Sequence, residues 1–185
     1  DGVTYPVATL YKQLTIDPGG TGKWSEDESA IVVTGWVRGQ GIAFVLETWH
    51  DPVTTKLIVE KALEMAARWN VNVIRPEYVA LQEMLGNWLE DEMRRRGTHW
   101  QIYPARARRL GKAERIDGLQ PFVANRQVFF RRDQQDIVDE MANLIIANGK
   151  VQGRKSPNLT DALAYHTELW RSSPPVFRND EIPFE

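Results

Sequence analysis

The chain runs from an apolar segment into a carboxylate and a turn at Leu14-Thr15-Ile16-Asp17-Pro18-Gly19-Gly20, and a β-branched segment, Ser29-Ala30-Ile31-Val32-Val33, follows after a polar loop. Pro and two Gly do not continue a strand, so the pattern predicts a strand that ends at Asp17 and a partner strand after the loop. Asp17 then stands on rigid backbone with an accessible side chain. A carboxylate in this place is either a hydrogen-bonding turn residue or a metal ligand. The rest of the chain has to decide between them.

The composition is typical of one globular domain. The 185 residues are 42% hydrophobic and 26% charged, which permits a single well-formed core. Because there is no cysteine, a metal would have to be held by oxygen or imidazole. No apolar run approaches the roughly 18 to 20 residues that cross a bilayer, and no signal-peptide pattern opens the chain. We therefore expect no membrane partner, and the absence of cysteine indicates a protein that is either intracellular or indifferent to redox conditions.

The basic residues are concentrated in one stretch, although the formal net charge is −2. Between positions 94 and 115 Glu114 is the only acid, and the stretch contains eight basic residues: Arg94, Arg95, Arg96, Arg106, Arg108, Arg109, Lys112 and Arg115. Such a run is either a solvated face or a surface that binds phosphates without reading sequence. The last five of these residues follow a predicted strand and are our candidates for one wall of a DNA groove.

Hydrophobic periodicity predicts an α/β order of elements. An antiparallel meander of three strands, at 11–16, 29–38 and 42–49, precedes a helix at 53–69 that Asp51 caps, a strand at 71–75 and a helix at 79–96. A strand at 100–103, a helix at 112–119, a short strand at 127–130 and helices at 133–147 and 161–170 follow. Asn158 or Thr160 is expected to cap the last helix, and Asp161 falls in its first turn.

This order of elements is typical of a ribonuclease H-like fold, an α/β fold whose central mixed sheet joins an antiparallel three-strand meander to parallel strands and is flanked by helices. In such a sheet the first and fourth strands are neighbours, so Asp17 and Glu77 emerge side by side and the last helix lays Asp161 across them. Three carboxylates suit two divalent ions, Mg²⁺ or Mn²⁺, which together hydrolyse phosphodiesters. Asp17 is the expected bridging ligand, and Glu77 and Asp161 would each hold one ion.

Three further residues are accessory candidates. Asp27, at the start of the second strand, is either an outer metal ligand or a turn cap. Lys23 ends a glycine-rich loop that lacks the spacing of an ATP-binding phosphate loop and leads into a strand, so we expect a mobile cation that approaches DNA. His166, five residues after Asp161, either touches metal or water or lies off the face of the acid. Covalent catalysis has no support, because there is neither a Cys nor a nucleophile-elbow Ser.

Five segments resemble the nuclease domain of the large terminase subunit of tailed bacteriophages. Their order and spacing across nearly the whole chain carry the resemblance: Thr15-Ile16-Asp17-Pro18-Gly19-Gly20, Asp27-Glu28-Ser29-Ala30-Ile31-Val32-Val33, Val73-Ile74-Arg75-Pro76-Glu77, Gly111-Lys112-Ala113-Glu114-Arg115-Ile116 and Asp161-Ala162-Leu163-Ala164-Tyr165. The resemblance implies an endonuclease that cuts concatemeric double-stranded DNA during packaging with Asp17, Glu77 and Asp161. The chain departs from many relatives in having Thr160, not a second acid, before Asp161.

The same resemblance implies a wider context. Residues 1–172 would be the nuclease domain, 173–185 a C-terminal tail, and an N-terminal ATPase motor domain would be absent from this chain. The implied partners are DNA, that motor domain, the small terminase subunit and the portal protein, in the host cytoplasm at the procapsid portal and not in the virion. Two alternatives stay open: a ribonuclease H-like resolvase or transposase, which would prefer branched DNA, and a non-catalytic DNA-binding or portal-docking module.

Overall fold

A computed structural model describes residues 3–19, 28–77, 82–105, 110–153 and 155–171, without the side chains of 82–84 and 171. The strands are β1 (Tyr11–Asp17), β2 (Ser29–Val37), β3 (Ile42–Asp51), β4 (Val73–Pro76), β5 (Gln101–Ile102), β6 (Val128–Phe129), β7 (Ile145–Ala147) and β8 (Lys150–Gln152). The helices are α1 (Thr55–Trp69), α2 (Gln82–Arg96), α3 (Lys112–Asp117), α4 (Gln120–Ala124), α5 (Gln135–Ala142), α6 (Asn158–Ala164) and α7 (Thr167–Arg171). Within these ranges no helix is long and apolar enough to cross a membrane.

Six strands form one mixed sheet in the order β5-β4-β1-β2-β3-β6. The first three strands pair antiparallel as a meander, whereas β4 pairs parallel with β1, β5 with β4, and β6 with β3. The predicted α/β class, the meander and the adjacency of the first and fourth strands are therefore confirmed. Strand β1 lies inside the sheet, with an antiparallel neighbour on one side and a parallel neighbour on the other.

Helices cover both faces of the sheet, and β1 is buried along its whole length. Successive side chains of a strand point to opposite faces. Leu14 and Ile16 accordingly belong to the hydrophobic layer under α1 and α2, while Tyr11 belongs to the layer under α6 and α7. Asp17 shares the alternation of Tyr11, so its side chain points to the α6 side. The two-residue period of β1 thus decides which helix meets the carboxylate.

The predicted helix at 133–147 is wrong in its second half. Helix α5 ends at Ala142, and β7 and β8 form an antiparallel hairpin whose turn is Asn148-Gly149. Both turn residues have positive φ, 53° and 70°, and Asn-Gly is the dipeptide that best tolerates this turn. The apolar residues before the turn continue the helical pattern of α5, which is why periodicity extends the helix too far.

The predicted helix caps are also wrong. The Glu140 carboxylate accepts hydrogen bonds from the backbone N–H groups of Leu159 (3.4 Å) and Thr160 (2.5 Å), so it serves the N-terminus of α6 in place of Asn158 or Thr160. The predicted final helix is divided by a turn at 165–166 into α6 and α7. Asp51 ends β3, and Thr54 holds the N-cap position of α1. A carboxylate that comes from another helix leaves no local pattern in the sequence.

Candidate active site

The parallel pairing of β1 and β4 brings Asp17 and Glu77 to the same edge of the sheet. Ile16 stands opposite Pro76, and the Glu77 backbone N–H donates to the Ile16 carbonyl (2.9 Å). Glu77 also forms a β-bridge with Ala105, which continues the line of β5. Because side chains alternate along a strand, Glu77 points to the same face as Arg75, whose guanidinium donates to the Tyr165 carbonyl. Both carboxylates therefore face α6 and the turn that follows it.

Helix α6 presents the third carboxylate to the same edge. The Thr15 hydroxyl of β1 donates to the Ala162 carbonyl (2.8 Å), which fixes the helix against the strand one residue from Asp161. The Asp161 backbone N–H donates to the Pro157 carbonyl (2.9 Å) in the first turn of α6. Asp161 is almost fully buried. The three carboxylates that the sequence singles out come from β1, the end of β4 and α6, and they lie together.

Two cations of α3 connect the three carboxylates. The Arg115 guanidinium holds Asp161 in a two-point contact, with Nε 3.0 Å from Oδ1 and Nη2 2.8 Å from Oδ2, and the same Nη2 lies 3.9 Å from Glu77 Oε1. Lys112 Nζ lies 3.4 Å from Asp161 Oδ2 and 4.0 Å from Asp17 Oδ2. Two fixed positive charges thus oppose three clustered carboxylates, and the hydrogen bonds of Asp161 raise the pKa of Arg115 despite its burial.

The ammonium of Lys112 is held in place from the opposite side by neutral oxygens. It donates to Ser156 Oγ (2.7 Å) and Asn158 Oδ1 (2.8 Å), and the Asn158 amide in turn donates to the Glu28 carbonyl (2.6 Å), just before β2. Lys112 is therefore a fixed charge between Asp17 and Asp161, not a side chain free in solvent. Neither Ser156 nor Asn158 carries a charge pattern that identifies this role in the sequence.

Asp17 is a buried carboxylate whose surroundings disfavour its charged form. Burial raises its pKa well above the ordinary value of 3.8, and the charges of Asp161 and Glu77 raise it further against the lowering effect of Lys112. Its Oδ2 is buried and makes no hydrogen bond among the described residues. A buried oxygen of this kind carries the full cost of its desolvation. A positive charge that entered the site would therefore favour the ionised form of Asp17.

Tyr165 is a site residue whose role the sequence does not make obvious. Its hydroxyl donates to Glu77 Oε1, and its ring packs 4.6 Å from the centre of the Arg115 guanidinium. Burial raises the Tyr165 pKa far above its ordinary value, with the Glu77 carboxylate as the next cause, so the hydroxyl stays protonated. The available signal was the spacing: Tyr165 follows Asp161 by four residues, which places both on one side of a helix.

The oxygen donors of this site are those that Mg²⁺ and Mn²⁺ prefer. As they stand, no three His, Cys, Asp or Glu side chains of the described residues are arranged to hold a metal ion. In this arrangement Arg115 occupies both Asp161 oxygens. Asp17 Oδ2 accepts no hydrogen bond from the residues that the structure describes and lies 4.0 Å from the Lys112 ammonium, so this oxygen has room in its bonding for a cation. The carboxylates fit divalent ions once Arg115 releases an Asp161 oxygen.

His166 does not face the carboxylates. It is fully buried, with Nε2 2.7 Å from Thr15 Oγ1 and Nδ1 2.8 Å from Thr34 Oγ1, so both ring nitrogens are used inside the protein. Of the two alternatives for His166, the structure supports the one in which it lies off the face of Asp161. Its position five residues after Asp161 already turns it away from the acid on a helix, and the turn at 165–166 places its ring between Thr15 of β1 and Thr34 of β2.

The basic residues divide into three groups. Arg94, Arg95 and Arg96 form ion pairs with Asp91 or Glu92 on α2. Strand β5 begins near the end of α2 and runs towards Ala105, which pairs with Glu77. The three arginines therefore lie at the end of the strands opposite to Glu77. Lys112 and Arg115 form ion pairs with the carboxylates of the site. That these two residues bind phosphate stays a prediction. Asp27 and the remaining predicted cations lie outside the described residues: Lys23, Arg106, Arg108 and Arg109.

Solved structures share this arrangement of strands and helices. The nuclease domain of the P22 large terminase matches with a TM-score of 0.64 at 15% identity, over 91% of this chain and 85% of that one. The g2p (large terminase) nuclease domain of bacteriophage SPP1, with bound Mn, matches with a TM-score of 0.60 at 14% identity, over 88% of each chain. The fowlpox virus Holliday junction resolvase matches with a TM-score of 0.53 at 11% identity, over 86% of this chain and 97% of that one.

At such identities the likeness establishes the fold, and the predicted ribonuclease H-like fold is confirmed. The structures that share it include nuclease domains of the family that the five sequence segments resemble. Neither a protein-family model nor a curated protein matches the sequence itself.

The raised pKa of Asp17 predicts how stability depends on pH without divalent metal. Between the ordinary value of 3.8 and its raised folded value, Asp17 binds more protons in the folded than in the unfolded state, so the wild type loses stability as pH rises through this window. Asp17→Asn removes the buried charge, and we expect its Tm to exceed that of the wild type at neutral pH by about 2–4 °C for each kcal/mol gained. Melting in EDTA across pH measures the difference, which should vanish as pH approaches 3.8. A lower Tm for Asp17→Asn at neutral pH would contradict this account.

The hydrogen bond from Tyr165 to Glu77 predicts a role in fixing that carboxylate. Groups that orient metal ligands contribute about 10- to 100-fold to metal affinity. We expect Tyr165→Phe to weaken Mn²⁺ binding, titrated by electron paramagnetic resonance, by about tenfold. Tyr5→Phe is the matched control, because the Tyr5 hydroxyl bonds Gln40 and not a carboxylate of the site. Equal Mn²⁺ affinities for the two variants would remove Tyr165 from the site.

Proposed function

We propose that this chain is a metal-dependent DNA endonuclease, the nuclease domain of a phage DNA-packaging terminase. The observation that carries the proposal is the convergence of Asp17, Glu77 and Asp161 at one edge of a ribonuclease H-like sheet. The shared fold of the P22 and SPP1 terminase nuclease domains supports it, together with the five sequence segments. The substrate would be concatemeric double-stranded DNA, cut by hydrolysis of phosphodiester bonds.

Two divalent ions, Mg²⁺ or Mn²⁺, are the proposed cofactors. When bound, they would activate the attacking water and neutralise the leaving oxygen of the phosphodiester. Asp17, Glu77 and Asp161 would hold them, with Asp17 shared between the two. Manganese in the SPP1 structure supports this choice. The buried Oδ2 of Asp17, which accepts no hydrogen bond from the described part of the chain, supports it as well. Asp27 is proposed as an outer ligand.

The residues around the carboxylates have separate tasks in this proposal. Arg115 neutralises Asp161 while the ions are absent, and it has to release at least one Asp161 oxygen before Asp161 can act as a ligand. Tyr165 keeps its proton and orients Glu77 through Oε1. Lys112 is anchored by Ser156 and Asn158, so its charge stays beside Asp17. An anionic DNA phosphate would be attracted to the Lys112 and Arg115 charges that the ions displace.

The biological setting is proposed from the resemblance. Lys23, Arg106, Arg108 and Arg109 would add phosphate contacts whose affinity falls with salt. An ATPase motor domain, the small terminase subunit and the portal protein would be the protein partners, in the host cytoplasm at the procapsid portal. Residues 1–172 would form the nuclease domain and 173–185 its tail.

A resolvase is the second candidate, because the fowlpox Holliday junction resolvase shares the fold over 86% of the chain. The two candidates would use the same carboxylates and differ in the DNA they prefer. A resolvase cuts branched DNA, whereas a packaging nuclease cuts duplex DNA. A non-catalytic DNA-binding module would keep the fold and lose metal-dependent cleavage altogether.

The test compares plasmid cleavage by the wild type, Asp17→Asn and Asp161→Asn in Mn²⁺, Mg²⁺ or EDTA at low salt. We expect metal-dependent nicking and linearisation by the wild type. Both variants should be slower by more than about a hundredfold, because even groups that only orient metal ligands are worth up to that factor. Asp91→Asn, on α2 and 69% exposed, is the matched control and should cleave like the wild type.

Cleavage of a four-way DNA junction, compared with cleavage of a linear duplex of the same length, separates the resolvase from the terminase nuclease. Preferential cutting of the junction would favour the resolvase over the terminase nuclease. Cleavage that persists in both site variants would contradict the assignment of the carboxylates. No cleavage, with no rise in Tm on adding Mn²⁺, would favour the non-catalytic module.

A further inference from the structure

A chain of buried hydrogen bonds links β2, β1 and α6 beneath the carboxylates. It runs from Thr34 to the ring of His166, from the ring to Thr15, and from Thr15 to the Ala162 carbonyl. Thr15, Thr34 and His166 are fully or almost fully buried. The chain ends beside two ligand-bearing positions, because Thr15 lies two residues before Asp17 and Ala162 follows Asp161.

The Ala162 carbonyl determines the direction of donation along this series of hydrogen bonds, because a carbonyl can only accept. At the turn that ends α6, the His166 backbone N–H donates to the Leu163 carbonyl (3.0 Å), as in a 3-10 turn. The Ala162 carbonyl, which a continued helix would have paired with that N–H, accepts from the Thr15 hydroxyl instead (2.8 Å). A hydroxyl has one proton. Having given it to Ala162, Thr15 can only accept from His166.

The same logic assigns the ring proton of His166. Nε2 has to carry a proton, because it lies 2.7 Å from the accepting Thr15 oxygen. In a neutral imidazole the other nitrogen is then an acceptor. Nδ1, 2.8 Å from Thr34 Oγ1, accepts the Thr34 proton. All four groups therefore donate in one direction, from β2 through the ring to α6.

We propose that His166, as the neutral Nε2–H tautomer, is a positioning residue that holds Asp161 at its distance from Asp17 through Thr15. The ring nitrogens bond Thr15 and Thr34, and the ring acts by keeping the Thr15 proton directed at α6. If His166 did not donate, Thr15 would be free to turn its proton to the ring and leave the Ala162 carbonyl unpaired. The fixed point between β1 and α6 would be lost next to Asp161.

The surroundings of the ring favour its neutral form. Burial lowers the His166 pKa well below its ordinary value, and the charge of Arg75 lowers it further, against a weaker opposite effect of a backbone hydrogen bond with Val32. Arg75 is itself fully buried and donates to the Tyr165 carbonyl (2.7 Å), so its charge is fixed beside the turn. The hydrogen-bond geometry places a proton on Nε2, and burial favours the neutral ring, so the two together favour the Nε2–H tautomer.

Histidine NMR on the ¹⁵N-labelled wild type tests the tautomer without any use of activity. The chain has three histidines, so His50→Gln and His99→Gln identify the His166 signals by elimination. We expect a protonated Nε2 and an unprotonated Nδ1 for His166 throughout the neutral range. A protonated Nδ1, or a doubly protonated ring at neutral pH, would overturn the proposal, whether or not the chain is a nuclease.

A matched pair of variants tests the positioning role, which rests on the proposed metal site. In His166→Gln the amide nitrogen replaces Nε2 and keeps a donor for Thr15, whereas in His166→Asn it replaces Nδ1 and the donor is lost. We expect His166→Asn to weaken Mn²⁺ binding, measured by electron paramagnetic resonance, by about tenfold, and His166→Gln to restore most of it. Equal loss in both variants, with equally lowered Tm, would reduce His166 to a packing residue. If even the wild type bound no Mn²⁺, the metal site would fail while the tautomer result would stand.

Discussion

The pairing of β4 beside β1 is the constraint on which the site depends. The parallel register, in which Ile16 stands opposite Pro76 and the Glu77 N–H donates to the Ile16 carbonyl, places Glu77 next to Asp17. A shift of one residue would turn either carboxylate to the opposite face, among the apolar side chains under α1 and α2. The buried alternation of β1 prevents such a shift, because Leu14 and Ile16 would then have to exchange places with polar side chains.

The same constraint creates an electrostatic problem that the fold answers with α3. Three carboxylates at one sheet edge repel each other, and burial adds the cost of desolvation. Arg115 and Lys112 offset part of this repulsion, but Asp17 Oδ2 accepts no hydrogen bond from any residue in the described ranges, and the Asp17 pKa is raised. In the proposed metal-bound state, an entering cation would have to displace at least one contact of Arg115 with Asp161.

Much of the fold follows from the sequence, because the first three strands are long and apolar and predict the meander directly. The adjacency of β1 and β4 and the meeting of the three carboxylates follow from the order of elements, which is typical of a ribonuclease H-like fold. The Glu140 contact with α6, the hairpin after α5 and the break at 165–166 depend on tertiary contacts or on a two-residue turn within an apolar run. Tyr165 and His166 form that break: the Tyr165 hydroxyl bonds Glu77, and the His166 ring bonds Thr15 and Thr34. The functional roles of the carboxylates remain proposals.

Diffraction from crystals soaked in Mn²⁺, recorded at a wavelength where manganese scatters anomalously, would locate any ions bound by the three carboxylates. We predict anomalous peaks within coordination distance of Asp17, Glu77 and Asp161, and an Arg115 side chain that has left at least one Asp161 oxygen. Manganese bound only elsewhere, or no peak at this edge at saturating Mn²⁺ with Arg115 still on both Asp161 oxygens, would contradict it.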